Sequence, residues 1–278
     1  MLAHNKDVRS QDYNNLKDLY RPSHADFTYA TKYGHRDWRG SGRASARETL
    51  ARVAAGAVAH KYLKEKLNVE VLSYVEQVGT IRATVQPNEV SASAVESNIV
   101  RCPDQVAANK MIELIREVQA DGDSIGGIIR GVIRGAPAGL GEPAFDKLHA
   151  DLGKAMLSIN AVKGFDIGSG FDAVNLRGSQ HNDPFIAKDG KVETTSHHAG
   201  GVLGGISTGG EISFRVAFKP VATISKEQDT VTAEGTPTKL SASGRHDPCV
   251  LPRAVPIVDA MAALVVIDHY LRHKAQNL

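Results

Sequence analysis

The chain is 278 residues long, 42% hydrophobic and 23% charged, with a formal net charge of +2. This is the composition of an ordinary globular protein and excludes disordered and collagen-like classes. Balanced charge and 5% aromatic content exclude a general nucleic-acid binder, which needs a basic face or a stacking platform.

From the start, Met1-Leu2-Ala3-His4-Asn5-Lys6-Asp7 has no polar lead-in and resembles the end of a strand. Between Arg21 and Arg52 lies a basic block of six arginines and one lysine against Asp26, Asp37 and Glu48, a local charge of +4. A helix is expected from Ala46 to Glu65, because Leu50, Val53, Ala54, Ala57, Val58 and Leu63 fall on one stripe at helical spacing. Its other positions, Ala51, Ala55, Ala59 and Gly56, are small, as suits a helix pressed between layers. Val69–Val78 alternates as a strand. Pro103 and Asp104 open a second helix that ends near Gly122. A glycine-bearing strand follows from Ser124 to Arg134, then a third helix from Phe145 to Leu157.

Glu211–Phe218 is a strand with Ile212, Phe214, Val216 and Phe218 on one face. The polar stretch Thr230–Ser243 is expected to be a loop. The last helix, Val255 to His273, is apolar nearly all round except at Asp259 and Asp268, which predicts burial on most sides. No stretch is expected to span a membrane. With no linker and no internal repeat, one α+β domain over residues 1–278 is the economical reading, its helices enclosed by antiparallel sheet. Cys102 and Cys249 stand in no metal-ligand or disulfide spacing and are expected to be buried, reduced thiols of a cytoplasmic protein.

Four constellations carry chemistry. The first is the basic block, with Arg21, His24, Arg39, Arg43, Ser45 and Arg47. Ser45 and Glu48 have capping-box spacing, and a capped helix start beside concentrated cations suits a small polyanion. Arg36 and Asp37 are expected to form an ordinary ion pair. The second is the glycine-rich run from Ser196 to Gly210, containing His197-His198 and paired glycines that bring backbone close to a ligand. Adjacent histidines rarely point the same way, so a metal site is not expected there. Lys219-Pro220-Val221-Ala222-Thr223 places a cation and a hydroxyl at a strand end, and Gly244-Arg245-His246-Asp247-Pro248-Cys249 leads into the last helix. Each has a bland reading: a hydrogen-bonded structural histidine for His24, a turn acid for Asp247. Gly40-Ser41-Gly42 lacks the last glycine of a dinucleotide fingerprint, and the P-loop ending is absent.

Taken in order, the four motifs closely resemble one family, the chorismate synthases. Arg21-Pro22-Ser23-His24-Ala25-Asp26 resembles its RPGHAD segment, and Arg39 to Glu48 its RGGGRxSARE. Ser196–Gly210 is similar to its glycine-rich run, and Gly244 to Pro256 to its GRHDPCxxPRAVP. Ser23 and Ser41 replace glycines. The family's first segment, with its Gly-Glu-Ser-His-Gly motif, has no counterpart here. Either Met1 is an internal methionine taken as a start, or the chain is a fragment or a shortened variant. As written it is expected to be severely impaired, with a non-catalytic flavin-binding or assembly scaffold as the alternative.

The resemblance implies a β-α-β sandwich with buried helices between antiparallel sheets. It also implies conversion of 5-enolpyruvylshikimate 3-phosphate to chorismate by 1,4-trans elimination of phosphate, with reduced FMN required though no net oxidation occurs. By carry-over, His24 is the acid–base group near the flavin and Asp247 the base. Arg21, Arg47 and Arg245 hold substrate. Flavin contacts fall to Arg43, Ala44, Ser45, Asn160, Ala161, Gly204, Lys219, Pro220, Val221, Ala222, Thr223 and Arg245. Reduced flavin is expected from a separate reductase, because the internal insertions of NADP-dependent bifunctional members are not seen. A homotetramer is implied.

Overall fold

The computed structural model describes residues 14–40, 42–188, 190–242 and 247–277. The Met1–Asp7 reading, Ser41 and the stretch containing Gly244, Arg245 and His246 lie outside the described residues.

In chain order the elements are α1 (Asp26–Tyr33), α2 (Thr49–Leu67), β1 (Glu70–Val78), β2 (Ile81–Arg82), α3 (Ala92–Val95), α4 (Gln105–Ala120) and β3 (Gly127–Arg134). They continue with α5 (Leu148–Leu157), β4 (Val162–Ile167), α6 (Gly178–His181), β5 (Phe185–Lys188), β6 (Lys191–Thr194), β7 (Val202–Leu203) and β8 (Ile206–Ser207). β9 (Ile212–Phe218), β10 (Gln228–Val231), β11 (Pro237–Leu240) and α7 (Leu251–Gln276) complete the order. Five strands form one antiparallel sheet in the order β2-β1-β3-β9-β4, and β5-β6, β7-β8 and β10-β11 are two-stranded hairpins.

The alternation within each strand decides the layering. Val71, Val75, Ile129, Ile133, Ile212, Phe214 and Val216 turn toward α7, joining Val255, Val258, Ala262 and Val266 in the main core. α2 and α5 flank α7, which makes helices on sheet the basic architecture: α+β, as expected from the sequence. On the other face Leu72, Tyr74 and Val132 are covered by Val90 and Val95. Beside them runs a charged row. Glu76 binds Arg130 and Arg82, Arg130 faces Arg215 in register, and Arg215 binds Asp166 at 2.6 Å.

Two glycines are fixed by close approach. A Cβ at Gly131 would lie 2.2 Å from the Phe214 ring, and one at Gly56 would lie 2.3 Å from the Ala260 Cβ. α4 starts on Asp104, whose carboxylate accepts from the Val106 and Ala107 backbone N–H groups.

Several expectations need correction. The Thr230–Ser243 loop contains part of the β10–β11 hairpin, with Thr230 opposite Thr238. β4 was missed because a register shift between Val162 and Gly164 breaks its alternation. α7 runs from Leu251, with Pro252 tolerated in its first turn, and is long and apolar enough to cross a membrane by length and composition. Here it is the central helix of the core, with ten residues buried. Cys102 and Cys249 are both buried and free, and burial pushes each thiol up to about 11.

Candidate active site

The turn Arg21–His24 folds back on itself, with the His24 N–H bonded to the Arg21 carbonyl at 3.1 Å and Ser23 in the left-handed region at φ 56°. Ser23 occupies a place where glycine would be unstrained. Its carbonyl accepts from Lys219 Nζ at 3.1 Å. Asp26, 3% exposed at the start of α1, accepts from Arg21 Nε at 2.8 Å and Nη2 at 2.9 Å. His24 Nδ1 stands 3.0 Å from Asp26 Oδ1. Arg36 is not paired with Asp37: its Nη1 lies 3.2 Å from Asp26, and its Nη2 donates to the Leu19 carbonyl at 2.7 Å. Asp37 instead accepts from the Arg39 backbone at 3.0 Å.

Arg21 also reaches the next segment, its Nη1 donating to the buried Thr223 hydroxyl at 3.5 Å. Lys219–Thr223 leaves the end of β9, and the Lys219 N–H donates to the Ala161 carbonyl at 3.0 Å. Ala161 has φ 70°, a conformation rarely taken by a residue with a side chain, and strain of this kind collects at functional sites. Asn160 next to it donates to the Ala44 carbonyl at 3.2 Å, while its Oδ1 is shut from solvent with no partner among the described residues. On the far side Ser124 Oγ donates to the Val221 carbonyl and the Ile125 N–H to the Pro248 carbonyl, which brings the Asp247–Cys249 turn alongside. Five segments, around residues 21–26, 44, 160–161, 219–223 and 247–248, are thus tied together by hydrogen bonds, the last of them through Ser124 and Ile125.

Within them, the Ser45 hydroxyl accepts from the Arg47 N–H at 3.3 Å. The capping box stays half-formed, because Glu48 turns to Arg52 at 2.9 Å. A 3-10 turn, Ala46–Glu48, precedes α2, which begins three residues later than expected. Arg43 and Arg47 are exposed, and Arg47 Nη1 stands 3.1 Å from where a Gly40 Cβ would be. Asp247 accepts from Arg253 Nη1 at 2.9 Å, a cation one turn into α7 that the sequence reading passed over. Gly204 is not brought to this cluster. It lies in the β7–β8 turn, whose Gly205 carbonyl accepts from Leu148 at the N-terminus of α5, whereas Asn160 follows the C-terminus of that helix. Ten helical residues, about 15 Å, separate the two ends. His198 Nδ1 pairs with Ser169 Oγ at 3.0 Å and His197 Nδ1 faces Thr194 Oγ1 at 3.5 Å, so the adjacent histidines have separate partners although both line one cavity.

The cluster therefore combines guanidiniums, a lysine, a histidine and backbone in strained turns, the donor set of a site for a phosphorylated, carboxylated ligand. A model of the chorismate synthase family matches residues 1–271. The chorismate synthase of Cytophaga hutchinsonii is 57% identical, covering 100% of this chain and 77% of that protein. The chain belongs to the chorismate synthase family. Relatives of the same name from Gloeothece citriformis, 57% identical, and Opitutus terrae, 55% identical, each align over 99% of this chain and 76% of their own length. A crystal structure of a chorismate synthase superposes with a TM-score of 0.70 at 30% identity, covering 89% of this chain and 70% of that one. Chorismate synthases are enzymes, lyases of the shikimate pathway, and the helices-and-antiparallel-sheet fold found here agrees with that neighbour.

Proposed function

We propose that the hydrogen-bonded cluster of five segments binds 5-enolpyruvylshikimate 3-phosphate together with reduced FMN and performs the 1,4-trans elimination that yields chorismate. The observation that carries this is the chain of bonds from Arg21 through Thr223, Lys219 and Ala161 to Asn160 and Ala44, which joins the predicted substrate and flavin residues. The donor set fits FMN. Lys219 and the buried Thr223 hydroxyl suit a phosphate, and the sealed, unpartnered Asn160 Oδ1 is an acceptor in need of an N–H. Held by Arg43, Ala44, Ser45 and Lys219–Thr223, reduced FMN would supply electron density for breaking the C–O bond without net redox change.

The protein's own groups divide the remaining work. Arg21 and Arg47 hold the anionic substrate, with Arg43, Ala44 and Ser45 beside the flavin. His24 exchanges a proton through its Nε2, the ring nitrogen left over once Nδ1 meets Asp26. Asp247 keeps one oxygen on Arg253 and offers the other to a proton. The 1–278 chain is read as one domain. The relatives align across this chain nearly end to end without room for a long insertion, which supports a separate source of reduced flavin. Phe171, Val174, Phe185 and Val192 are exposed on one excursion, which supports homotetramer assembly. Two buried free thiols support a cytoplasmic setting.

Anaerobic titration with reduced FMN and substrate tests this, reading the flavin spectrum and chorismate together. The expected result is a saturable flavin change and chorismate formation, with Asp247→Asn lowering turnover at least about a hundredfold while flavin still binds. A flavin spectrum indifferent to the protein at every concentration would overturn the proposal.

A further inference from the structure

We propose that Asp26 is the positioning residue for His24, fixing the imidazole with its proton on Nδ1 and its Nε2 free to exchange a proton with the reacting system. The inference rests on the reading of His24 as the acid–base group and adds the group through which that histidine is aimed.

The geometry is that of a carboxylate with every lone-pair direction in use. Asp26 Oδ2 accepts from the Arg21 backbone N–H at 3.1 Å and from Arg21 Nε at 2.8 Å. Oδ1 accepts from Arg21 Nη2 at 2.9 Å and faces His24 Nδ1 at 3.0 Å, while Arg36 Nη1 stands 3.2 Å away as an ion pair without a hydrogen bond. Burial alone would raise this carboxyl, but hydrogen bonds and charge from Arg21 and His24 overcome it and hold Asp26 well below the usual carboxylate range. An ionised carboxylate only accepts, so the ring nitrogen facing it carries hydrogen. The other ring nitrogen has no partner among the described residues, and the histidine side chain is 17% exposed while Asp26 is sealed beneath it.

The surroundings explain why a carboxylate is needed and why two arginines accompany it. Charged groups face the pair from three places: Arg21 from the same turn, Arg36 from the segment after α1, and Lys219, bonded to Ser23, from the end of β9. An unaccompanied aspartate would bind the imidazolium strongly and oppose loss of its proton. Arg21 and Arg36 draw on the same carboxylate, so Asp26 orients the ring without monopolising its charge. Arg36 is itself pinned by the Leu19 carbonyl and stacked near the Tyr20 ring at 6.0 Å, and the Arg21 carbonyl holds the His24 backbone. The turn is therefore rigid on both sides of the histidine.

Nitrogen NMR of the intact chain, labelled in histidine, reads the tautomer without relying on turnover. At alkaline pH the His24 ring is expected to carry its proton on Nδ1, and Asp26→Asn is expected to abolish that preference. A His24 ring protonated on Nε2 in the unmodified chain would overturn the proposal. The second readout is a double-mutant cycle on chorismate formation with reduced FMN. Asp26→Asn is expected to lower turnover about a hundredfold, but less than about threefold when His24→Ala is already present. Equal losses in both backgrounds would mean that Asp26 acts only by holding Arg21, and would equally overturn it. If His24→Ala turns over normally, the acid–base reading of His24 fails, while the tautomer still decides whether Asp26 orients the ring.

Discussion

Asp259 sits in the third turn of α7 with its Oδ1 sealed and without a partner among the described residues. Burial pushes its carboxyl up to about 7, partly countered by the Ser73 hydroxyl and backbone and by Arg101, and reinforced by Glu96. His60 on α2, which bonds the Asp259 backbone, is itself lowered by burial. Between the unfolded carboxyl value near 4 and the folded value near 7, the native chain holds a proton that the unfolded chain has lost. Stability from this group therefore falls as pH rises through that window, and the loss is complete above it. Asp259→Asn keeps the shape and removes the titration. Its urea midpoint relative to the unmodified chain is expected to rise between pH 5 and pH 8, by roughly 2 kcal/mol of unfolding free energy. Midpoints that stay parallel across that range would show that Asp259 ionises in the fold as freely as in the unfolded chain.

At the scale of elements, the contact between α2 and α7 sets how close the helical layer can draw. A glycine in a helix interior is ordinarily a weakness, and replacing it with alanine gains about 1 kcal/mol. At Gly56 the sign reverses, because the new Cβ would stand 2.5 Å from the Ala260 Cα and 2.3 Å from its Cβ. Gly56→Ala is expected to cost about 1–3 kcal/mol, lowering Tm, and Ala260→Gly in the same chain to return part of the loss. A higher Tm in Gly56→Ala would mean that the helices part without penalty. That contact was legible as a run of small residues, since 3.6-residue spacing needs only local sequence. Elements with clear periodicity, α4 and β9, were legible for the same reason, and α7 by its long apolar run. β4 was not, because its register shift between Val162 and Gly164 breaks the alternation, and β10–β11 was not, because its half-buried face, Gln228 and Thr230 beside Leu240 and Thr238, is mostly polar. The full length of α7 was hidden by Pro252, tolerated in the first turn, and by Pro256 inside the helix, where the Pro252 carbonyl left without its helical donor accepts from Arg101 Nη1 at 2.6 Å.

For the whole molecule, the candidate site exists only because five distant segments meet, and that explains which parts of it could be read in advance. His24, Arg21, Lys219 and Asp247 are chemically conspicuous and sit in motifs. The Asp26 contact to His24, the left-handed Ala161 and the distance of Gly204 from Asn160 depend on how the chain folds back, which no local spacing encodes. Lys219 links motif to assembly, since its amine holds the Ser23 carbonyl and its N–H holds Ala161. Burial, and then the nearby Lys163, lowers the Lys219 amine below the ordinary lysine value. A phosphate arriving there favours the charged amine and shifts it back toward the ordinary lysine value. FMN binding is therefore expected to take up protons on the alkaline side of neutrality, seen as a dependence of the calorimetric heat on the ionisation enthalpy of the buffer. Lys219→Met should lose that uptake and weaken FMN at least about tenfold, near 1.4 kcal/mol, while Lys219→Arg keeps part of the affinity. Undiminished proton uptake in Lys219→Met would place the phosphate elsewhere in the cluster and pass the role to Arg21 or Arg43.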